Sequence, residues 1–187
     1  MKKVLKTVFL PVAIIALSIG IGFLYDHIWQ RIDLKTYPKD FAEYVEAYSK
    51  EYGIPEYVVY STIKVESNFQ TAALSKKGAV GLMQITPDTF EWLQLLKGEK
   101  LEDGMLYDPN TNIKYGAYLL SYLFNEFGDW ETAHAAYNAG LSRVRGWLAD
   151  ERYGGEDGKL KEIPFEETRE YVKKISDAES AYKKLYY

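Results

Sequence analysis

Between Thr7 and Tyr25 the chain carries no charged side chain, and this run of 19 residues, TVFLPVAIIALSIGIGFLY, constrains the molecule more than any other feature. As a helix rising about 1.5 Å per residue it spans roughly 28 Å, close to the hydrocarbon thickness of a bilayer. Lys2, Lys3 and Lys6 precede it, so the positive-inside bias puts residues 1–6 in the cytoplasm and everything after Tyr25 outside. The expectation is one N-terminal transmembrane helix, a signal anchor over residues 7–25 that makes a single pass through the cell membrane and leaves the rest extracytoplasmic. A cleaved secretory signal is the competing reading, with the remainder secreted. Against it, the run exceeds a typical signal core, and Ala16-Leu17-Ser18 lies too deep inside to serve as a cleavage site. A buried core helix fits poorly, because no polar stripe interrupts the run.

The whole chain of 187 residues has 23 basic and 27 acidic side chains, a net charge of −4. Three of the lysines precede the apolar run, so residues 26–187 stand at −7. Phosphate binding needs a basic surface, and no nucleic-acid partner is expected at this balance. The absence of cysteine excludes a disulfide framework, a thiolate metal site and a cysteine nucleophile. His27 and His134 cannot build a multi-histidine metal site alone. Residues 26–37 read as a short stalk, followed by a single domain over 38–187.

That domain reads as mainly α, with marked helix ends. Asp40 is a candidate cap for a helix carrying Phe41, Tyr44, Val45, Tyr48 and Tyr52 on one face and stopped by Gly53. Pro55 opens a second helix that runs to about Ser67. Thr86-Pro87 starts a third, to Gly98; Asp108-Pro109 starts a long one to Gly128, with Ile113, Gly116, Ala117, Leu120 and Leu123 at the spacing of a buried stripe. Asp129 caps the next, which stops at Gly140, and Ser142 begins a short one. Residues 149–163 read as a loop. The last helix starts near Pro164 and turns Tyr171, Val172, Ile175, Ala178 and Tyr182 inward. Alternation supports at most a short β-hairpin around Lys76 to Ile85. Trp92, Trp130 and Trp147 cannot be divided between groove and core by spacing, and His134 reads as packed within its helix.

On the second helix Val59, Thr62, Ile63 and Glu66 fall at i, i+3, i+4 and i+7, which puts an acid on the core stripe. Desolvation there raises a carboxyl pKa, the condition for a general acid near neutral pH. The alternative is a helix-end glutamate turned to solvent. Four segments around it bear on the choice. Glu66-Ser67-Asn68-Phe69 resembles the E-S-x-F motif, Gly78-Ala79-Val80-Gly81-Leu82-Met83-Gln84 the G-A-x-G-L-M-Q motif, and Ala136-Tyr137-Asn138-Ala139-Gly140 the A-Y-N-A-G motif of the soluble lytic transglycosylase (SLT) domain. Pro164-Phe165-Glu166-Glu167-Thr168-Arg169-Glu170-Tyr171-Val172 is similar to that family's P-[FY]-x-E-T-R-x-Y-V. With Asp108-Pro109, Asn112-Ile113 and Gly116, the motifs occur in the family's order over nearly all of residues 45–185.

The resemblance implies a lysozyme-like helical fold and an enzyme that breaks the β-1,4 bond between N-acetylmuramic acid and N-acetylglucosamine of peptidoglycan without water, leaving a 1,6-anhydro end. It implies Glu66 as the single catalytic residue, with no metal or cofactor required. Ser75, Met83, Gln84, Tyr137, Asn138, Glu167 and Tyr171 take substrate-binding or supporting roles by the same resemblance. The expected partners are peptidoglycan glycan strands and, through the N-terminal helix, the membrane; a monomer is expected. Thr86 departs from the methionine that many family members carry after the isoleucine. Two other functions stay open on sequence alone: a goose-type muramidase that uses water, and a non-catalytic wall-binding scaffold of an envelope-spanning machinery.

Overall fold

The computed structural model describes residues 17–24 and 31–187. By its contacts the chain divides into two units, Met1–Pro38 and Lys39–Tyr187. In the first, residues 17–24 are helical and expose Leu17, Ile19, Ile21, Phe23 and Leu24, and residues 31–36 form a second helical stretch. Among the described residues no helix is long and apolar enough to cross a membrane. The expected tail over 1–6 lies outside the described residues. So do residues 7–16 and 25 of the expected span and 26–30 of the expected stalk.

The second unit is built of seven α-helices: α1 (Ala42–Tyr52), α2 (Glu56–Ser67), α3 (Pro87–Lys97), α4 (Pro109–Phe127), α5 (Trp130–Ala139), α6 (Leu141–Leu148) and α7 (Glu166–Tyr186), with one 3-10 turn at Asp103–Tyr107. Three starts follow local capping chemistry. Thr86, Asp108 and Asp129 each accept a hydrogen bond from the backbone N–H three residues on, at 3.2, 2.8 and 2.9 Å, filling a donor that the first turn leaves open. The first helix differs from expectation: Phe41, in a left-handed conformation, precedes Ala42, and Asp40 caps nothing. Helix α6 begins at Leu141, directly after Gly140.

Helix α4 is the hub, packing on α1, α2, α3, α5 and the 3-10 turn. Its Ile113, Tyr115, Ala117 and Leu120 are fully buried. Helix α7 closes the other side against α2 and α5, and Tyr171, Val172, Ile175, Ala178 and Tyr182 face inward as their spacing predicts. Each fully buried aliphatic side chain here, among them Ile63, Leu82, Leu93 and Leu106, contributes roughly 1.5–3 kcal/mol of transfer free energy.

No strand forms in the segment joining α2 to α3. Isolated antiparallel bridges pair Leu74 with Val80 and Val80 with Ile85. The expected hairpin is instead a compact loop, because its glycine turns at 78 and 81 break the ladder after single pairs. The loop is held from outside by Asn112 of α4, whose Nδ2 donates to the carbonyls of Val80 (2.9 Å) and Leu106 (2.8 Å), while its Oδ1 accepts from the Met83 N–H (2.7 Å). Gly81 is required there, since a Cβ would run into the Asn112 side chain and the Leu106 carbonyl.

At the domain's entry, Lys39 lies within 4.8–5.5 Å of the ring centres of Tyr60, Tyr186 and Tyr187 and forms an ion pair with Glu56 at 3.0 Å. The Tyr187 hydroxyl donates to the same Glu56 carboxylate at 2.6 Å.

Candidate active site

Glu66 sits in the last turn of α2, one residue before the helix ends. The chain then turns away through Asn68 and Phe69, both left-handed. Ser67 anchors this end: its hydroxyl lies 2.7 Å from the Leu82 carbonyl and 3.2 Å from that of Ile63. The acid is thereby joined to the loop that carries Met83 and Gln84.

A cleft of about 370 Å³ opens over Glu66. Ser75, Gln84, Tyr137, Asn138 and Glu167 line it together with Lys76, Lys77, Thr86 and Thr89. Burial pushes the Glu66 carboxyl up to about 7, and a hydrogen bond donated by the Tyr171 hydroxyl at 2.8 Å pulls weakly the other way. Tyr171 itself is buried, with a pKa driven well above the usual range by that burial.

The supporting residues divide by what they touch. Tyr137 donates to the Met83 carbonyl at 2.7 Å and is held neutral by burial. The Ser75 oxygen accepts from the N–H groups of Ala79 (3.0 Å) and Lys77 (3.2 Å), so it shapes its own turn while facing the cleft. Gln84, left-handed, spends its amide N–H groups on the carbonyls of Ala73 and Gly81. Asn138 accepts from the Thr168 hydroxyl at 2.9 Å. Met83, expected on the cleft wall, is elsewhere: its side chain is fully buried against Gly116, where a Cβ would overlap the sulfur. Only its backbone serves the site. Glu167 stands on the rim, 76% exposed and 3.7 Å from Lys77.

Sequence reasoning missed the parts played by Ser67, Asn112 and Thr168, whose contacts reach across 15, 29 to 32 and 30 residues. They lay within or beside the quoted motifs, which was the available signal. Thr86, at the departure from the family pattern, both caps α3 and lines the cleft. A second recess of about 590 Å³, which shares Thr89, Leu119 and Tyr137 with the cleft as a common wall, is lined further by Trp92, Tyr122, Ser142, Arg143 and Arg145. Trp92 is thus at the groove, edge-on to Tyr122, whereas Trp147 is buried against Phe165. His134 is buried and pairs with Glu179 at 3.0 Å. Among the described residues no group of three or more His, Asp or Glu side chains could hold a metal ion.

A helical domain that presents one desolvated acid on the floor of an open groove is of the lysozyme-like class. The profile of the Transglycosylase SLT domain matches residues 43–158, and the chain belongs to that family. It is 33% identical over 172 residues to the soluble lytic murein transglycosylase of Escherichia coli K12, covering 87% of this chain and 25% of that protein. It is 28% identical over 170 residues to the membrane-bound lytic murein transglycosylase C of Actinobacillus pleuropneumoniae, covering 77% and 46%. Among solved structures, the 70 kDa soluble lytic transglycosylase of Escherichia coli superposes with a TM-score of 0.73 at 31% identity, over 87% of this chain and 26% of that one. The lytic transglycosylase Slt of Pseudomonas aeruginosa, in an inactive glutamate-to-glutamine form, gives 0.70 at 34% identity, over 80% and 25%. The chain spans about a quarter of the length of the soluble relatives it matches.

Proposed function

We propose that this chain is a peptidoglycan lytic transglycosylase in which Glu66 acts first as acid and then as base. Residues 38–187 form the catalytic domain, residues 26–37 a stalk and residues 7–25 a membrane anchor. The observation that carries the reading is the setting of Glu66: half-buried at the floor of the cleft, hydrogen-bonded by Tyr171, with its carboxyl pushed up to about 7 by desolvation.

Ordinary glycosidases flank the scissile bond with two working carboxyl groups. The other carboxylate lining this cleft, Glu167, is solvated and faces Lys77, a poor environment for a nucleophile. One acid must then serve twice. Glu66 gives its proton to the glycosidic oxygen as the C1–O4 bond breaks, and the substrate's own N-acetyl oxygen stabilises the cation at C1. The C6 hydroxyl of the muramic residue then attacks C1, its proton passes to the Glu66 carboxylate, and the 1,6-anhydro ring closes. The acid is regenerated, and no water, metal or cofactor is consumed. A pKa near 7 suits both halves, since neither giving nor taking the proton is far uphill.

Mass spectrometry of muropeptides released by residues 26–187 tests this. Anhydromuramic ends are the expected product; reducing muramic ends alone would make the enzyme a muramidase. Glu66→Gln keeps the shape and loses the proton, and is expected to cut the rate by at least about a hundredfold. Wall lysis at the parental rate by this variant would refute the assignment of Glu66.

A further inference from the structure

The cations of the groove are unevenly paired. Four basic side chains line its two joined recesses: Lys76, Lys77, Arg143 and Arg145. Lys77 faces Glu167, and Arg145 is bound to Glu126 at 2.6 Å. Lys76 and Arg143 have no carboxylate partner among the described residues. Arg143 is nevertheless braced. One of its N–H groups donates to the Ala139 carbonyl at 3.0 Å, and the guanidinium lies 5.3 Å from the ring centre of Phe165. The fork is thus partly ordered in advance, with donors left over. Nothing else lining the two recesses offsets these charges below about pH 7, where Glu66 is neutral. Residues 26–187 carry a net charge of −7, yet this groove presents two cations with no carboxylate beside them among the described residues. A neutral amino-sugar polymer gives them hydrogen-bond acceptors but no opposite charge; a carboxylate hung on the polymer gives both.

We propose that Lys76 and Arg143 read carboxylates carried by the glycan strand, and so make the groove selective for acid-bearing glycan over neutral glycan. This rests on the glycan-cleaving reading of the same groove. The carboxylates have two sources, the peptide branch of the muramic residue and, where the branch has been removed, the freed lactyl group.

Three versions of one strand preparation separate the possibilities: peptide-bearing, amidase-stripped, and stripped with the lactyl carboxylates converted to methylamides. At low ionic strength the parent is expected to have a kcat/KM about tenfold higher on the better of the two acidic strands than on the neutral one. Added salt should erode that ratio. The higher of the two acidic arms identifies the source. Lys76→Gln combined with Arg143→Gln should bring the ratio to within about twofold, and Arg143→Lys should restore part of it. Removing two cations elsewhere, with Lys50→Gln and Lys174→Gln, should leave it intact. Equal cleavage of acidic and neutral strands by the parent, or a ratio unchanged in the double variant, overturns the proposal while anhydromuramic products still uphold the underlying activity. Absence of anhydromuramic ends from every strand overturns both.

Discussion

At the scale of the residue, the contact between Glu66 and Tyr171 sets the working range of the site. The hydroxyl favours the carboxylate, whereas burial favours the neutral acid and wins. Activity that needs the protonated acid should therefore fall on the alkaline side, with a midpoint near pH 7. Tyr171→Phe removes the one contact that favours the anion, so the alkaline limb should move to higher pH; a limb that stays or moves down in a pH–rate profile would contradict this. Stability obeys the same linkage. Glu66 titrates near 4.5 when exposed and near 7 when folded, so folding is most favoured below about pH 4.5 and loses up to about 3 kcal/mol as the pH rises through 7. Glu66→Gln escapes that loss. Its melting temperature relative to the parent should climb between pH 4.5 and 8 by several degrees, which differential scanning calorimetry can follow.

Among the elements, the loop over residues 78–84 depends on one asparagine more than on its own sequence. Asn112→Asp keeps the acceptor for the Met83 N–H but turns two donated bonds, to Val80 and Leu106, into contacts between oxygens. The expected cost is about 3–5 kcal/mol, read from urea denaturation, because buried carbonyls lose their partners and gain a repulsive one. Ser67→Ala, which removes the hydroxyl that spans α2 and Leu82, should cost about 1–3 kcal/mol. These contacts mark the boundary of what the sequence makes legible. The starts at Thr86, Asp108 and Asp129 can be read because donor and acceptor are three residues apart. The stripe of α7 can be read because a helix repeats its own period. The loop between α2 and α3 cannot, since alternating residues suggest strands, whereas glycine turns and contacts from Ser67, Asn112 and Tyr137 on three helices hold it in a different shape. Nor could spacing relate Glu66 to Tyr171, which are 105 positions apart and meet only after α2 packs on α7. Phe41 breaks a local rule in the other direction: its left-handed backbone takes the place that the neighbouring Asp40 was expected to fill.

For the whole molecule, the open question of practical weight is attachment. The relatives include an enzyme named soluble and one named membrane-bound, and the uncharged run over residues 7–25 argues for the second arrangement here. In cell fractionation the full chain should stay with membranes through an alkaline carbonate wash, whereas residues 26–187 should be released; release of the full chain would favour a cleaved signal. The start of the domain is fixed at a defined point. Lys39, one residue past Pro38, is gripped by Glu56 and Tyr60 from α2 and by Tyr186 and Tyr187 from the end of α7. The first residue of the domain is therefore fastened to both helices at once, and α1 departs from a point already fixed on them. They are also the helices that bear the acid and its tyrosine, so this lysine and the 2.8 Å contact lie on one seam, the most heavily packed of the domain, and loosening either end of it reaches the other.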